Sequence, residues 1–116
     1  MDACTIYYNP ECSKCRSALE LIEGRGIRPT VVDYLETPPD AAELAHLVGL
    51  LGGDARVLLR RDEPEYASLG LDDPSLAAAA LIDALVAHPH LLQRPVVVCN
   101  GKALIGRPPH VVLDIL

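Results

Sequence analysis

The chain has 116 residues, of which 50% are hydrophobic and 22% are charged. A chain of this length buries roughly two-thirds of its unfolded surface, so we expect a single domain over residues 1–116 that needs no disulfide or metal for its core. The formal net charge of −6 argues against a general nucleic-acid binder. No apolar run approaches the roughly 20 residues of a membrane span, and the first residues lack signal-peptide features, so we expect no membrane association and a cytoplasmic location.

Two residue types depart from this ordinary composition. The chain has four cysteines, and in a cytoplasmic protein these are reactive, metal-binding or buried residues more often than structural disulfides. Of the ten basic residues, eight are arginine and two are lysine. Because the planar guanidinium binds oxyanions through two donors at once, arginines in an acidic chain indicate local anion recognition.

The first part of the chain is predicted to be a strand–helix–strand unit. The β-rich run Cys4–Tyr8 ends at Asn9-Pro10, and apolar residues at helical spacing predict a helix over Cys12–Glu23. Two glycines end that helix, and Pro29–Leu35 is predicted to be the second strand. Strands joined by a helix are parallel neighbours in a sheet.

The middle of the chain is predicted to be helical. One helix has Thr37 as its cap and runs to Gly52-Gly53, and a shorter helix covers Asp54–Arg61. Residues 62–71 are predicted to be a loop. A further helix begins at Asp73-Pro74 and continues to His88, where Pro89 stops it.

The last part of the chain is predicted to form a hairpin and a helix. The strands Pro95–Cys99 and Lys102–Ile105 are separated by Asn100-Gly101, a strong signal for a two-residue turn, and a helix follows over His110–Leu116. Without the middle helices, the order is that of an α/β thioredoxin-like βαβ–ββα fold. Residues 37–92 are therefore predicted to be a helical insertion between the second and third strands.

The segment Cys12-Ser13-Lys14-Cys15 lies between a predicted strand and a predicted helix, the setting in which a C-x-x-C pair is redox-active. The N–H groups and dipole of a helix N-terminus stabilise a thiolate, which lowers the pKa of Cys12 below the roughly 8.5 of a free cysteine. Lys14 and Arg16 add positive charge nearby. Cys15 is expected to remain a thiol that resolves a bond formed at Cys12. The alternatives are two helix cysteines without a role, or half of a zinc site.

Arginines mark the rest of the predicted site. Arg94 precedes Pro95 at the start of the third strand, where thioredoxin-like domains have a cis-proline beside the active-site cysteine, so we expect Arg94 next to Cys12. Arg60 ends a predicted helix, and Arg107 precedes the last one. An activated thiolate, several arginines and a helix N-terminus together describe a site for a tetrahedral oxyanion.

The remaining cysteines and histidines are given structural interpretations. They supply neither a second C-x-x-C nor an H-x₃-H spacing, so no metal site is predicted. Cys4 and Cys99 lie in apolar strands and are predicted to be small buried hydrophobic residues. His88 and His90 flank a proline and are predicted to form a surface corner.

Several separated motifs resemble the glutaredoxin-type arsenate reductases, members of the thioredoxin-like superfamily, along essentially the whole chain. They are Thr5-Ile6-Tyr7, Asn9-Pro10, Cys12-Ser13-Lys14, Tyr34-Leu35-Glu36-Thr37-Pro38-Pro39, Leu58-Leu59-Arg60, Glu65-Tyr66, Leu69-Gly70-Leu71, His88-Pro89, Arg94-Pro95-Val96-Val97-Val98 and Ile105-Gly106-Arg107-Pro108. The resemblance implies that Cys12 is the nucleophile that forms a thiol–arsenate adduct. It also implies that Arg60, Arg94 and Arg107 hold the oxyanion.

Two positions depart from that family's pattern. Tyr8 stands where these reductases commonly have a histidine that supports the thiolate, and a tyrosine with a pKa near ~10 is no cation at neutral pH. Cys15 stands where the usual relatives lack a second cysteine. It opens a route in which Cys15 attacks the Cys12 sulfur, expels arsenite and leaves a disulfide for thioredoxin or glutaredoxin to reduce.

The resemblance therefore predicts a cytoplasmic, monomeric arsenate reductase that holds no bound cofactor and uses glutathione or another thiol as reductant. Its expected partners are arsenate and a glutaredoxin or thioredoxin. Two alternatives stay open. One is a redox-sensing regulator of the Spx type, which shares this fold and binds RNA polymerase, and the other is a general thiol–disulfide oxidoreductase.

Overall fold

The structure, a computed structural model, describes residues 4–116. The first three residues, on which the expectation of no signal peptide partly rests, lie outside the described residues. The described chain divides into two compact units. The first comprises residues 4–37 and 94–116, and the second comprises residues 38–93.

The first unit is built on a four-stranded sheet with the strand order β2-β1-β3-β4. Its elements are β1 (Cys4–Tyr8), α1 (Ser13–Gly24), β2 (Thr30–Asp33), β3 (Val96–Cys99), β4 (Lys102–Ile105) and a 3₁₀ helix (Pro109–Ile115). The central strand β1 is parallel to β2 and antiparallel to β3, with Ile6 opposite both Val31 and Val97. This arrangement confirms the predicted α/β βαβ–ββα fold.

The core of this unit lies between the sheet and its two helical segments. It is formed by buried side chains of β1, α1, β3 and the 3₁₀ helix, namely Cys4, Ile6, Ala18, Ile22, Val97, Cys99, Val112 and Ile115. The hairpin turn is placed as predicted, because Asn100 and Gly101 both have the positive φ, 56° and 73°, that such a tight turn requires. The predicted terminal helix is present, but as a 3₁₀ helix.

The second unit is helical among its described residues. Its elements are α2 (Ala41–Leu50), a 3₁₀ helix (Ala55–Leu58), α3 (Pro64–Ser68), α4 (Ala78–Ala87) and a 3₁₀ helix (Pro89–Leu91). Helix α4 packs against α2 and both 3₁₀ helices. The segments before α3 and after α4 also meet, through an antiparallel bridge between Leu59 and Leu92.

The helix boundaries of this unit differ from the predicted ones at two prolines. The cap of α2 is Asp40, whose side chain accepts a hydrogen bond from the Glu43 N–H at 2.8 Å, so the prediction of Thr37 as the cap is wrong. The reason is that Pro39 disfavours a helical conformation at Pro38. Helix α4 begins at Ala78, because the Asp73 carboxylate accepts hydrogen bonds from both N–H and O–H of Ser75 and forms a turn there.

The segment predicted to be a loop contains α3. Its Tyr66 is buried, and the Tyr66 hydroxyl accepts a hydrogen bond from the Arg56 guanidinium at 3.0 Å. Arg56 also donates to the backbone carbonyls of Leu71, at 2.7 Å, and Asp73. Arg56 therefore has a structural role. The arginine-rich composition had indicated anion recognition, but this arginine binds protein groups instead.

Candidate active site

The loop between β1 and α1 presents Cys12 at the start of the helix. Cys12 is the residue that precedes the first turn of α1, with φ −93° and ψ 118°. Its N–H donates to the Asn9 carbonyl at 3.0 Å, and the Asn9 side chain accepts from the Glu11 N–H at 3.0 Å. Arg16, one turn into α1, donates to the Pro10 carbonyl at 2.7 Å. These bonds fix the backbone that carries the sulfur.

The environment of Cys12 favours its thiolate. Burial acts to raise its pKa, but hydrogen bonds from the backbone N–H and side chain of Cys15, together with the hydrogen bond and charge of Arg94, lower it to about 7. Cys12 therefore has a substantial thiolate fraction at pH 7. The cation near the sulfur is Arg94, whereas Arg16, which we expected to act on Cys12, donates to the loop backbone.

Cys15 has the opposite character. It is fully buried, and burial is the main reason that its pKa is raised to about 12. The hydrogen bond to Cys12 and the charge there also raise the pKa, whereas the hydrogen bond to the Asn9 backbone and the charge of Arg94 lower it. Cys15 is a thiol that donates to its neighbour at neutral pH. Neither Cys12 nor Cys15 is in a disulfide. The first unit therefore has an activated thiolate at Cys12 next to a protonated thiol at Cys15.

Arg94 lies directly beside this pair. Its peptide bond to Pro95 is cis, as expected, and its side chain makes a hydrogen bond to Cys12. Burial acts to lower the pKa of Arg94, but the nearby Tyr34 and the two cysteines raise it overall, so the guanidinium keeps its charge. Tyr34 is only 1% exposed, and sequence reasoning assigned it no part in the site.

The Arg107 side chain is hydrogen-bonded to the backbone of Arg94. Its Nε donates to the Arg94 carbonyl at 2.7 Å, and its own peptide bond to Pro108 is also cis. The preceding Gly106 donates its N–H to the Pro95 carbonyl at 2.8 Å. A Cβ at Gly106 would lie 2.8 Å from Pro95 Cγ, so glycine allows the two arginine-bearing turns to approach each other.

Arg60, the third predicted arginine, belongs to the second unit. Its guanidinium forms an ion pair with Glu63 at 2.7 Å and a longer one with Asp62 at 3.9 Å, and its N–H donates to the Leu91 carbonyl at 2.8 Å. Cys12, Arg94 and Arg107 are thus linked within the first unit. The ion pairs of Arg60 and its backbone hydrogen bond to Leu91 are with residues of the second.

Comparison with known proteins bears directly on this arrangement. The family model described as "ArsC family" matches residues 7–115, nearly the whole chain. The chain belongs to the ArsC family. This agrees with the resemblance inferred from the separated motifs.

Relatives of this ArsC-family chain are similar over most of their length. The uncharacterized protein YfgD of Escherichia coli (strain K12) is 54% identical over 112 residues, which are 96% of this chain and 94% of that protein. An arsenate reductase of Neisseria meningitidis serogroup B is 51% identical over 104 residues, 89% of each chain. The solved arsenate reductase from Vibrio cholerae is 48% identical with a TM-score of 0.93, covering 98% of each chain. This structural likeness also confirms the thioredoxin-like fold.

Two predictions outside the site are affected by the structure of this ArsC-family protein. Cys4 and Cys99 are buried as predicted, but they are directly opposite each other on β1 and β3 and form a disulfide, so the expectation that they count only as separate buried residues is wrong. The strand register, which the sequence does not specify, brings them together. His88 and His90 are half-exposed beside Pro89, which agrees with the predicted surface corner, and both also contact Glu65.

The described residues also limit what else this chain holds. Among residues 4–116, no three His, Cys, Asp or Glu side chains are grouped in a way that could hold a metal ion. Within the same range, no helix has the length and apolar character needed to cross a membrane.

Proposed function

We propose that this protein is an arsenate reductase with Cys12 as its nucleophile. The observation that carries the proposal is the Cys12 thiolate, whose pKa is about 7, hydrogen-bonded to an arginine beside a helix N-terminus. A nucleophile and an anion-binding group then act on the same substrate. Relatives named arsenate reductase, from Neisseria meningitidis and Vibrio cholerae, support this choice of oxyanion.

Arsenate binding is assigned to Arg94, Arg107 and Arg60. A guanidinium makes paired hydrogen bonds to a tetrahedral oxyanion, and the N–H groups at the start of α1 add further donors. Arg94 is supported by its hydrogen bond to Cys12, and Arg107 by its hydrogen bond to the Arg94 carbonyl. Arg60 is assigned on the motif that it shares with the family, and its ion pair with Glu63 keeps the side chain ordered.

The chemistry then proceeds in two steps. The Cys12 thiolate attacks arsenic(V), an S–As bond forms, and one arsenate oxygen leaves as water after it takes up protons. A second thiol next attacks the Cys12 sulfur, a disulfide forms, and the S–As electron pair leaves with arsenic as arsenite. Two sulfurs have each lost one electron, and arsenic has gained two.

We assign the second thiol to Cys15. Its sulfur is hydrogen-bonded to Cys12, so attack needs only a short movement. The negative charge on Cys12 contributes to the raised pKa of Cys15. Once Cys12 is bonded to arsenic, its thiolate charge no longer contributes to the raised pKa of Cys15, whereas burial, the main cause, still does. We therefore expect Cys15 to act only after Cys12 has reacted. A glutaredoxin with glutathione, or a thioredoxin, then reduces the Cys12–Cys15 disulfide.

The protein on this account works as a monomer in the cytoplasm and holds no resident cofactor, since thiols carry both electrons. The test is arsenate-dependent NADPH consumption by the purified protein, coupled in turn to a glutathione–glutaredoxin system and a thioredoxin system. We expect turnover with one of them, and none when phosphate replaces arsenate. Absence of turnover with both systems would contradict the proposal.

A general thiol–disulfide oxidoreductase is the second candidate, because the hydrogen-bonded Cys12–Cys15 pair is sufficient for disulfide exchange. The two functions differ in what they require of the arginines. Reduction of a small disulfide should not depend on Arg107, whereas arsenate reduction should. The Spx-type alternative is tested by a pull-down with RNA polymerase in both redox states, and binding in either would favour it.

A further inference from the structure

A cluster of side chains in the second unit has no role in the proposed chemistry. Glu65, in the first turn of α3, contacts two histidines through its two carboxylate oxygens. Oε1 lies 2.6 Å from His90 Nε2, a hydrogen bond, whereas Oε2 lies 3.7 Å from His88 Nδ1. The Glu65–His90 bond joins α3 to the 3₁₀ helix Pro89–Leu91 across 25 residues of sequence.

The two segments that this bond joins are the same two that hold Arg60. Glu63, the residue before α3, holds the Arg60 guanidinium at 2.7 Å. Leu91, the residue after His90, accepts a hydrogen bond from the Arg60 N–H at 2.8 Å. The Arg60 side chain is thereby anchored to α3 and its backbone to the 3₁₀ helix.

We propose that Glu65 and His90 are positioning residues for Arg60. Their bond fixes the position of α3 relative to the 3₁₀ helix. It thereby also fixes the distance between Glu63, which holds the Arg60 guanidinium, and Leu91, which holds the Arg60 backbone. Without the bond, α3 loses its side-chain link to the 3₁₀ helix, so Glu63, which holds the guanidinium, can shift relative to Leu91, which holds the backbone. The inference rests on the proposed function, in which Arg60 binds arsenate, and neither positioning residue touches the substrate.

The test compares His90→Ala with the matched control His88→Ala. Both remove an imidazole next to the same carboxylate, but only His90 makes the short hydrogen bond. For His90→Ala we expect the KM for arsenate to rise about three- to tenfold while kcat stays within about twofold, because oxyanion binding is weakened and the sulfur chemistry is intact. His88→Ala should change KM less than about twofold. His90→Gln, which can still donate to Glu65, should recover most of the loss.

A double-mutant cycle separates positioning from general destabilisation. If His90 acts through Arg60, its loss adds little to the effect of Arg60→Ala, and the two KM effects are non-additive. Where Arg60→Ala does raise KM, additive effects or a normal KM in His90→Ala overturn the inference. Should His90→Ala fold poorly, as judged by thermal unfolding, Glu65→Gln removes the charge with less change in shape and takes its place.

Amide hydrogen exchange at Arg60 keeps this test independent of the proposed function. The Arg60 N–H should exchange faster in His90→Ala than in the wild type, with His88→Ala close to the wild type. If Arg60→Ala leaves KM unchanged, the assignment of Arg60 to arsenate is wrong, and the exchange result alone decides positioning. Unchanged protection of the Arg60 amide overturns the inference in either case.

Discussion

The two regions that carry the predicted site use their polar groups differently. In the first unit, polar groups converge on sulfur, since the N–H and thiol of Cys15 and the Arg94 guanidinium all favour the Cys12 thiolate. In the second unit, polar groups are paired with one another, as in Arg60 with Glu63 and Glu65 with His90. The first pattern changes the reactivity of an atom, whereas the second fixes where a side chain lies. Altering the first unit should therefore change the reactivity of Cys12, whereas altering the second should change the affinity for arsenate and leave that reactivity intact.

The strongest way to break this contrast is to remove the nucleophile. Cys12→Ser should lower arsenate-dependent turnover by at least about a thousandfold, because a serine hydroxyl is not ionised at neutral pH and the covalent route is lost. NADPH consumption measures it, and circular dichroism checks the fold. Arg28→Ala, at an exposed arginine, is the control and should keep full activity. Residual turnover within tenfold of the wild type would remove Cys12 from the mechanism.

Arg94→Gln tests whether the first unit controls the pKa of Cys12. Losing the charge next to the sulfur should raise the pKa of Cys12 from about 7 towards the roughly 8.5 of a free cysteine, so its alkylation rate at pH 7 falls several-fold. The measurement is the rate of iodoacetamide alkylation against pH. In the second unit, Arg60→Gln should leave that profile unchanged. Identical profiles for the wild type and Arg94→Gln would show that the arginine does not stabilise the thiolate.

Cys15→Ser separates the two sulfurs. The variant should still form the Cys12 adduct, but thioredoxin-supported turnover should fall about tenfold or more, because no intramolecular disulfide can form. A supply of glutathione should restore part of the activity by providing the second thiol. Full activity of Cys15→Ser with thioredoxin would show that Cys15 is not the resolving cysteine.

Gly106→Ala tests the packing that brings the two arginine turns together. The added Cβ would meet Pro95 Cγ at 2.8 Å, so the free energy of unfolding should fall by about 1–3 kcal/mol. Urea denaturation measures it. The matched control is Gly24→Ala at the end of α1, where an added Cβ meets nothing within 4 Å. Equal stability of the two variants would mean that the turns can separate without cost.

The smallest expected effect is in the second unit. Asp40→Ala removes the side-chain acceptor at the start of α2 and should cost about 1 kcal/mol, because the Glu43 N–H loses its partner. Thr37→Ala, at the position that the sequence favoured as the cap, should be close to neutral. The same urea titration measures both variants. A larger loss of unfolding free energy in Thr37→Ala than in Asp40→Ala would show that Thr37 caps the helix.

The sequence predicted the parts of this molecule that depend on local patterns. A strand, a C-x-x-C and a helix in succession place a cysteine at a helix start, and Arg94-Pro95 before an apolar strand places the arginine beside it. Contacts between distant residues that neither a local motif nor the thioredoxin-like topology specifies were not predicted. Glu65 and His90 are 25 residues apart, and Cys4 and Cys99 meet only through the strand register.

The missed helix α3 has a different cause. Its five residues are too few to show a helical period, and the segment 62–71 contains a proline and several charged residues. Tyr66 holds it in place through the Arg56 hydrogen bond, a tertiary contact. Short elements that depend on such contacts leave no periodic signal in the sequence.

A single-turnover reaction tests the central claim most directly. The protein, with Cys12 and Cys15 reduced and the Cys4–Cys99 disulfide intact, is mixed with arsenate and no external thiol. Arsenite is quantified, and mass spectrometry identifies any new disulfide. Because Cys12 and Cys15 together supply two electrons, the account predicts about one arsenite per protein and one Cys12–Cys15 disulfide. The absence of arsenite, or arsenite formed with both thiols still reduced, would contradict it.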